Sequence, residues 1–232
     1  MVRGLAVIMM VLSNFLFDLY SFYGFSALEG GFSRYFARAT AGLFILIAGV
    51  SLRLHFDRTG GAGKSFRPYY RRVLKLFGLG LMISAATWFA VGDQLVVFGI
   101  LHFLGASSLL AYPFLKLRYL NLIGGIAVIC LGFWLNRTQV DFVWLVWLGL
   151  MPATFRSVDY IPVFPWFGVI LLGIYVSCVV FPEGRQRYEI KRDPASSVWG
   201  RFFILLGRNS LLIYFVHQPL LLGGLYLFKK LS

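Results

Sequence analysis

The stretch Val163-FPWFGVILLGIYVSCVVF-Pro182 holds twenty residues without one charged side chain. An α-helix rising ~1.5 Å per residue needs about 20 apolar residues to cross ~30 Å of hydrocarbon, so this segment by itself predicts a membrane span. Its apolar residues run on without alternating with polar ones, which argues against a barrel strand. Pro162 and Pro165 stand at its opening, where a proline loses no helical hydrogen bond. Six further stretches read the same way, near residues 4–24, 39–56, 73–91, 95–115, 120–136 and 209–228. The expected fold class is all-α: a polytopic integral-membrane bundle of about seven transmembrane helices, in one domain over residues 1–232.

Composition supports that reading. Of the 232 residues 59% are hydrophobic and 13% charged, with mean hydropathy +0.78, whereas soluble domains carry about 25% charged residues. The remaining charge is too sparse to solvate a chain with 24 Phe, 12 Tyr and 6 Trp, and a soluble enzyme is excluded. The first stretch has Arg3 before its apolar run, as a signal peptide would. Asn14 and Asp18 interrupt it and no A-x-A site follows, so it reads as the first membrane helix. Cys130 and Cys178 fall inside expected spans with neither disulfide nor metal-ligand spacing, so no metal site and no cysteine chemistry is expected.

The formal charge of +13 is explained by topology. With seven spans, one face carries sixteen basic residues: Arg3, seven from Arg53 to Lys75, Lys116 and Arg118, and six from Arg185 to Arg208. The other carries six: Arg34, Arg38, Arg137, Arg156, Lys229 and Lys230. Short loops rich in Lys and Arg stay in the cytoplasm, which puts the N-terminus inside. Anionic lipid headgroups are then secondary partners and nucleic acid is not expected. The apolar run between Asp141 and Ala153 is too short to cross and rich in Trp, so it should lie at the outer interface or re-enter.

Polar groups inside spans are the sharpest functional signal, because a buried ionisable group in lipid is costly unless paired. At ~1.5 Å per residue, Asn14 stands about 15 Å and Asp18 about 21 Å from the inner end of span one, on the same helical face. His217 lies about 14 Å up from the inner end of span seven, and His102 about 10 Å down from the outer end of span four. The depths match in pairs, Asn14 with His217 and Asp18 with His102, as in a polar chamber opening outward. The rival reading is interhelical glue, each hydrogen bond being worth about 0.6 kcal/mol. An imidazole oriented by a carboxylate suits general-base catalysis, and would serve a proton-coupled small-solute transporter equally well. His55 is read as a solvated residue at the cytoplasmic boundary.

Gly60-GAGK-Ser65 is similar to a phosphate loop but has Arg58 where that motif needs glycine. A glycine-rich turn followed by Lys64, Arg67, Arg71, Arg72 and Lys75 can still hold a phosphorylated cytosolic cofactor through charge and backbone amides. Plain retention of positive charge on the inner side explains it as well.

Four motifs carry a family resemblance. Arg3-GLAVIMMVLS-Asn14 resembles the opening helix of the transmembrane acyltransferases, where the arginine of an Arg-Gly start is followed, after ten intervening residues, by a polar residue. Asn at that position marks the heparan-alpha-glucosaminide N-acetyltransferase branch. Phe98-GILHFL-Gly105, Val163-FPWFGVILL-Gly173 and Leu206-GRNSLLIYFVHQ-Pro219 are similar to short prokaryotic members of that branch, the last being the most specific through Asn209, Ser210, Tyr214 and His217. The resemblance implies a multi-pass protein of a prokaryotic plasma or inner membrane. It also implies an acetyltransferase taking acetyl from cytosolic acetyl-CoA and delivering it to an extracytoplasmic small-molecule or glycan acceptor. Asn14 and His217 match motif positions, and Arg3 matches a cytoplasmic arginine counted with the cofactor-binding residues. The heparan enzyme has a histidine in the loop after its first helix. This chain has none between Asn14 and His55, so His102, oriented by Asp18, is read as the general base, with Asn14 or His217 on the thioester carbonyl. A ping-pong route through acetyl-histidine and a homo-oligomeric state are left open by the sequence.

Overall fold

The computed structural model describes residues 1–24, 31–59, 67–92, 95–182 and 194–231. Eight helices are present among them: α1 (Val2–Tyr23), α2 (Gly31–Arg58), α3 (Arg67–Val91), α4 (Ile100–Leu110), α5 (Tyr119–Leu135), α6 (Val163–Val180), α7 (Val198–Arg208) and α8 (Ser210–Leu231). No strand occurs among the described residues, only a bridge pairing Gln139 with Met151. The chain is an all-helical membrane protein, and α1, α2, α3, α6 and α8 are long and apolar enough to cross a bilayer. The other two expected spans are shorter, α5 with 17 residues and α4 with 11. Contacts divide the chain into a terminal unit, residues 1–47 with 189–232, and a central unit, residues 48–188.

In the terminal unit α1 packs on both α7 and α8. The close approach is made by glycine. A Cβ on Gly4 would stand 2.1 Å from the carbonyl oxygen of Phe203, and one on Gly207 would stand 3.2 Å from the Gly4 nitrogen. Residue 4 thus meets two successive turns of α7, and Ala6, Val7 and Met10 continue the buried side of α1. Ser197 caps α7, its hydroxyl accepting from the Gly200 amide at 2.9 Å. Asn209 alone separates α7 from α8: its amide donates to Leu205 O and its carbonyl accepts from Ile213 N. α7 lies where the charge distribution implied a loop.

In the central unit α5 and α6 form the tightest pair, again through glycines. A Cβ on Gly168 would come within 2.5 Å of Gly125 O, and one on Gly132 within 2.5 Å of Pro165 Cα. Small residues let helix backbones touch where lipid supplies no hydrophobic drive for association. Ile170, Leu171 and Ile174 of α6 are fully buried, as are Leu115 and Phe103. Pro162 caps α6, and Phe164 is extended just inside it, so the two prolines do mark its opening. Between α5 and α6, Val146–Leu148 forms one 3-10 turn closed by Gly149 at φ +117°, with Trp144 exposed. The Tyr160 hydroxyl donates to Val146 O at 2.7 Å, and burial pushes its phenol up to about 12.

The expected span 95–115 is helical only from Ile100 to Leu110, about 17 Å of rise. Gly99 is its N-cap residue and Pro113 falls in the 3-10 turn Tyr112–Lys116 that follows it. The irregular backbone on either side is satisfied by side chains. Ser84 Oγ donates to Val96 O, the Val96 amide donates to Thr87 Oγ1, and Ser157 Oγ donates to Leu95 O. Asp159 Oδ2 accepts from the Ile100 amide at 3.0 Å. At the other end Asn121 donates to the carbonyls of Phe114 and Leu117, and Arg53 to that of Leu115.

Candidate functional site

Asn14 of α1 and His217 of α8 meet inside the terminal unit. Asn14 Nδ2 lies 3.0 Å from Met10 O and 3.2 Å from His217 Nε2, so its two amide hydrogens have an acceptor each. On the other side of the ring, His217 Nδ1 is 3.1 Å from Ile213 O and 2.8 Å from Tyr214 O. Carbonyl oxygens only accept, which puts the ring proton on Nδ1. A neutral His217 then presents the Nε2 lone pair to Asn14. The tautomer is fixed by the helix's own backbone, and Nε2 is the nitrogen that faces outward from α8.

One turn further along α1, Asp18 is 3% exposed and accepts from Gln218 Nε2 on both carboxylate oxygens, at 3.0 and 3.1 Å. Within the terminal unit the partner of Asp18 is the amide of Gln218, while His102, matched to Asp18 by depth in the sequence, belongs to the central unit. Gln218 directly follows His217 and precedes Pro219, which has no amide hydrogen for the Phe215 carbonyl. Gln218 Oε1 is buried and has no hydrogen-bond partner among the described residues. Asn14 and Asp18 on α1 and His217 and Gln218 on α8 thus make two consecutive polar rungs.

His102 belongs to the central unit, where it is 4% exposed. Its ring meets Phe77 edge-on, centroids 5.5 Å apart, and lies against Phe98 at 5.8 Å. The third wall is backbone. A Cβ on Gly80 would come 2.8–2.9 Å from three ring atoms, so only glycine at position 80 admits the imidazole face. Nδ1 of His102 is buried without a hydrogen-bond partner among the described residues. This imidazole therefore has one nitrogen uncommitted, in contrast to His217.

Of the residues read as cofactor-binding, Lys64 lies outside the described residues, together with the rest of the turn 60–66. Arg67 and Arg71 are exposed at the start of α3. Arg72 lines a cleft of about 200 Å³ with Leu52, His55 and Tyr69. Arg53 pairs with Asp57 at 2.9 Å beside it, and the Tyr69 ring meets His55 at 5.7 Å and Tyr112 at 5.2 Å. Arg3 belongs to the terminal unit, at the crossing of α1 and α7, where a Cβ on Gly207 would stand 3.4 Å from the Cβ of Arg3. Among the described residues no group of His, Cys, Asp and Glu is arranged to hold a metal ion.

The model of the family "Heparan-alpha-glucosaminide N-acetyltransferase, catalytic" matches residues 1–219. The chain belongs to that family. No curated protein and no solved structure matches it. Membership makes the protein a multi-pass membrane protein of the acetyltransferase kind. The matched stretch begins ahead of Arg3 and ends at Pro219, so it takes in both polar rungs and His102. Within this family frame two functional candidates escape sequence reasoning. Gln218 is neutral and does not stand out as an ionisable group does, although an amide inside an apolar helix also costs free energy unless it is hydrogen-bonded. Gly80 shows its purpose only once α3 and α4 are laid together.

Proposed function

We propose that the protein transfers an acetyl group from cytosolic acetyl-CoA to a hydroxyl or amine of an extracytoplasmic acceptor, a sugar being the class suggested by the family's description. The observation that carries this reading is the Asn14–His217 contact, with the Nε2 lone pair turned toward α1. An acceptor O–H or N–H entering there replaces the Asn14 amide at Nε2. His217 takes its proton as the acceptor oxygen or nitrogen bonds to the thioester carbon. The released Asn14 amide donates to the developing oxyanion, a contribution of about 10²–10³ in rate for a preorganised donor. The C–S bond then breaks, and coenzyme A leaves as a thiol with the proton returned by the imidazolium. Asp18, one turn away, favours that imidazolium, and Gln218 holds the carboxylate in place.

His102 is the second imidazole for which a base role is proposed, on the ground of its uncommitted Nδ1. For the coenzyme, the cleft of Arg72, His55 and Tyr69 offers a cation and ring donors suited to a phosphate group, with Arg67 and Arg71 exposed on the same helix. Arg3 and Lys64 complete the proposed basic set.

The test is transfer from labelled acetyl-CoA in proteoliposomes supplied with a panel of amino sugars and sugar alcohols. Asn14→Ala and His217→Ala should each lower transfer by two orders of magnitude or more while the protein stays folded. Wild-type turnover in both would refute the assignment, and wild-type turnover in His102→Ala would remove His102 from it. Arg72→Glu should weaken acetyl-CoA binding; unchanged binding would return the basic residues of α3 to topology alone.

A further inference from the structure

The segment Val198–Arg208 is a helix with three distinct sides. At about 100° per residue, Val198, Phe202 and Leu205 fall within one narrow sector, with Trp199 beside it. These four are 71%, 43%, 59% and 74% exposed respectively. On the far side Gly200 and Gly207 are buried, and Phe203 gives its backbone to Gly4 of α1. Between the apolar and the buried sides runs a basic edge, Arg201 and Arg208, both exposed. They are seven residues apart, two helical turns or about 10.5 Å.

Such an exposed apolar face needs an occupant, and its surroundings specify one. A single residue, Asn209, separates α7 from α8, a helix long and apolar enough to cross the membrane of this multi-pass protein. The end of α7 is therefore at the bilayer boundary. Basic residues along one edge, apolar residues and a tryptophan on the other, are what the headgroup–acyl boundary selects, tryptophan favouring that depth and each arginine near an anionic surface being worth about 1 kcal/mol. The stretch from Arg185 to Arg208 holds six basic residues, the complement of a negatively charged surface.

We propose that α7 is an anionic-lipid-binding helix: its Val198–Trp199–Phe202–Leu205 face sits among acyl chains, and Arg201 and Arg208 hold the phosphate groups of anionic lipid headgroups. Because α7 crosses α1 at Gly4, lipid held there also fixes the end of the helix that carries Asn14 and Asp18.

Trp199 supplies the probe. The full-length protein is reconstituted in bilayers of one fixed mixture of phosphatidylcholine and phosphatidylglycerol, with either lipid carrying bromine, which quenches tryptophan on contact. The difference between wild type and Trp199→Phe isolates the signal of Trp199. Brominated phosphatidylglycerol should quench it several-fold more per molecule than brominated phosphatidylcholine. Arg201→Gln/Arg208→Gln should equalise the two lipids while both still quench, and Arg201→Lys/Arg208→Lys should keep most of the preference. Equal quenching in the wild type, or a preference that survives removal of both arginines, overturns the proposal. So does the absence of quenching by either lipid, which would mean that protein covers this face. Added inorganic phosphate should leave the preference intact; its loss would assign the arginines to a soluble anion instead.

Discussion

Gly80→Ala probes the wall behind His102. The added Cβ would stand 2.8–2.9 Å from three imidazole atoms, about half an ångström inside the 3.4 Å at which ordinary contact begins. The ring cannot swing away cheaply, since Phe77 and Phe98 close it in at 5.5 and 5.8 Å. Overpacking of this kind costs about 1–3 kcal/mol. Each kcal/mol lowers the melting temperature of a chain of this size by roughly 2–4 °C, so a loss of about 2–12 °C is expected. Thermal unfolding of the detergent-solubilised protein measures it. Transfer activity should fall on the order of tenfold if His102 acts on the reacting groups, because a displacement of 1 Å costs about 10²-fold. The decisive comparison is Gly80→Ala/His102→Ala. With the ring gone the new methyl has room, and the double variant should be more stable than the sum of the two single effects by about 1 kcal/mol or more. Strict additivity would show that Gly80 and the imidazole do not press on one another, and the reasoning would fail.

Gln218→Leu leaves the Asp18 carboxylate buried without its amide donor and should cost about 1–3 kcal/mol, read from thermal unfolding. Asp18→Leu in that background should recover part of the loss, since both polar partners then leave together; a further loss would contradict the pairing. Asp159→Ala removes the acceptor of the Ile100 amide and should cost about 1 kcal/mol, with Asp159→Asn close to wild type. Tyr160→Phe loses the bond to Val146 O, worth about 0.5–1.5 kcal/mol. The raised phenol has a second consequence. Its neutral form is favoured by folding, so that stabilisation is complete below pH 10.0 and is lost as pH rises toward 12. A denaturation series across that window should fall more steeply for wild type than for Tyr160→Phe.

Much of the architecture is written in hydropathy alone. Helices α1, α2, α3, α6 and α8 each coincide with an apolar stretch, because in lipid an uncharged run of that length has almost no alternative to a helix. The pattern fails at α4. Hydropathy runs on from 95 to 115, but it does not register that Pro113 and a side-chain cap by Asp159 end the helix early. It fails again at α7, where basic residues are counted as a loop while Val198, Phe202 and Leu205, at helical spacing behind Ser197, mark an amphipathic helix. At the site, equal depth brought Asn14 to His217 because α1 and α8 are in contact. Depth says nothing about which neighbours share a face, and so Gln218 was invisible as the partner of Asp18.

The short α4 also constrains how the protein is made. Backbone at residues 95–100 is satisfied by Ser157, Asp159 and Ile161, which are synthesised about sixty residues later. Acyl chains offer nothing to bare amides and carbonyls in the meantime. The native pairing of this segment is therefore complete only once residue 161 has been made. Folding of this part is coupled over residues 84–161, since the segment before α4 draws its partners from both sides of the sequence.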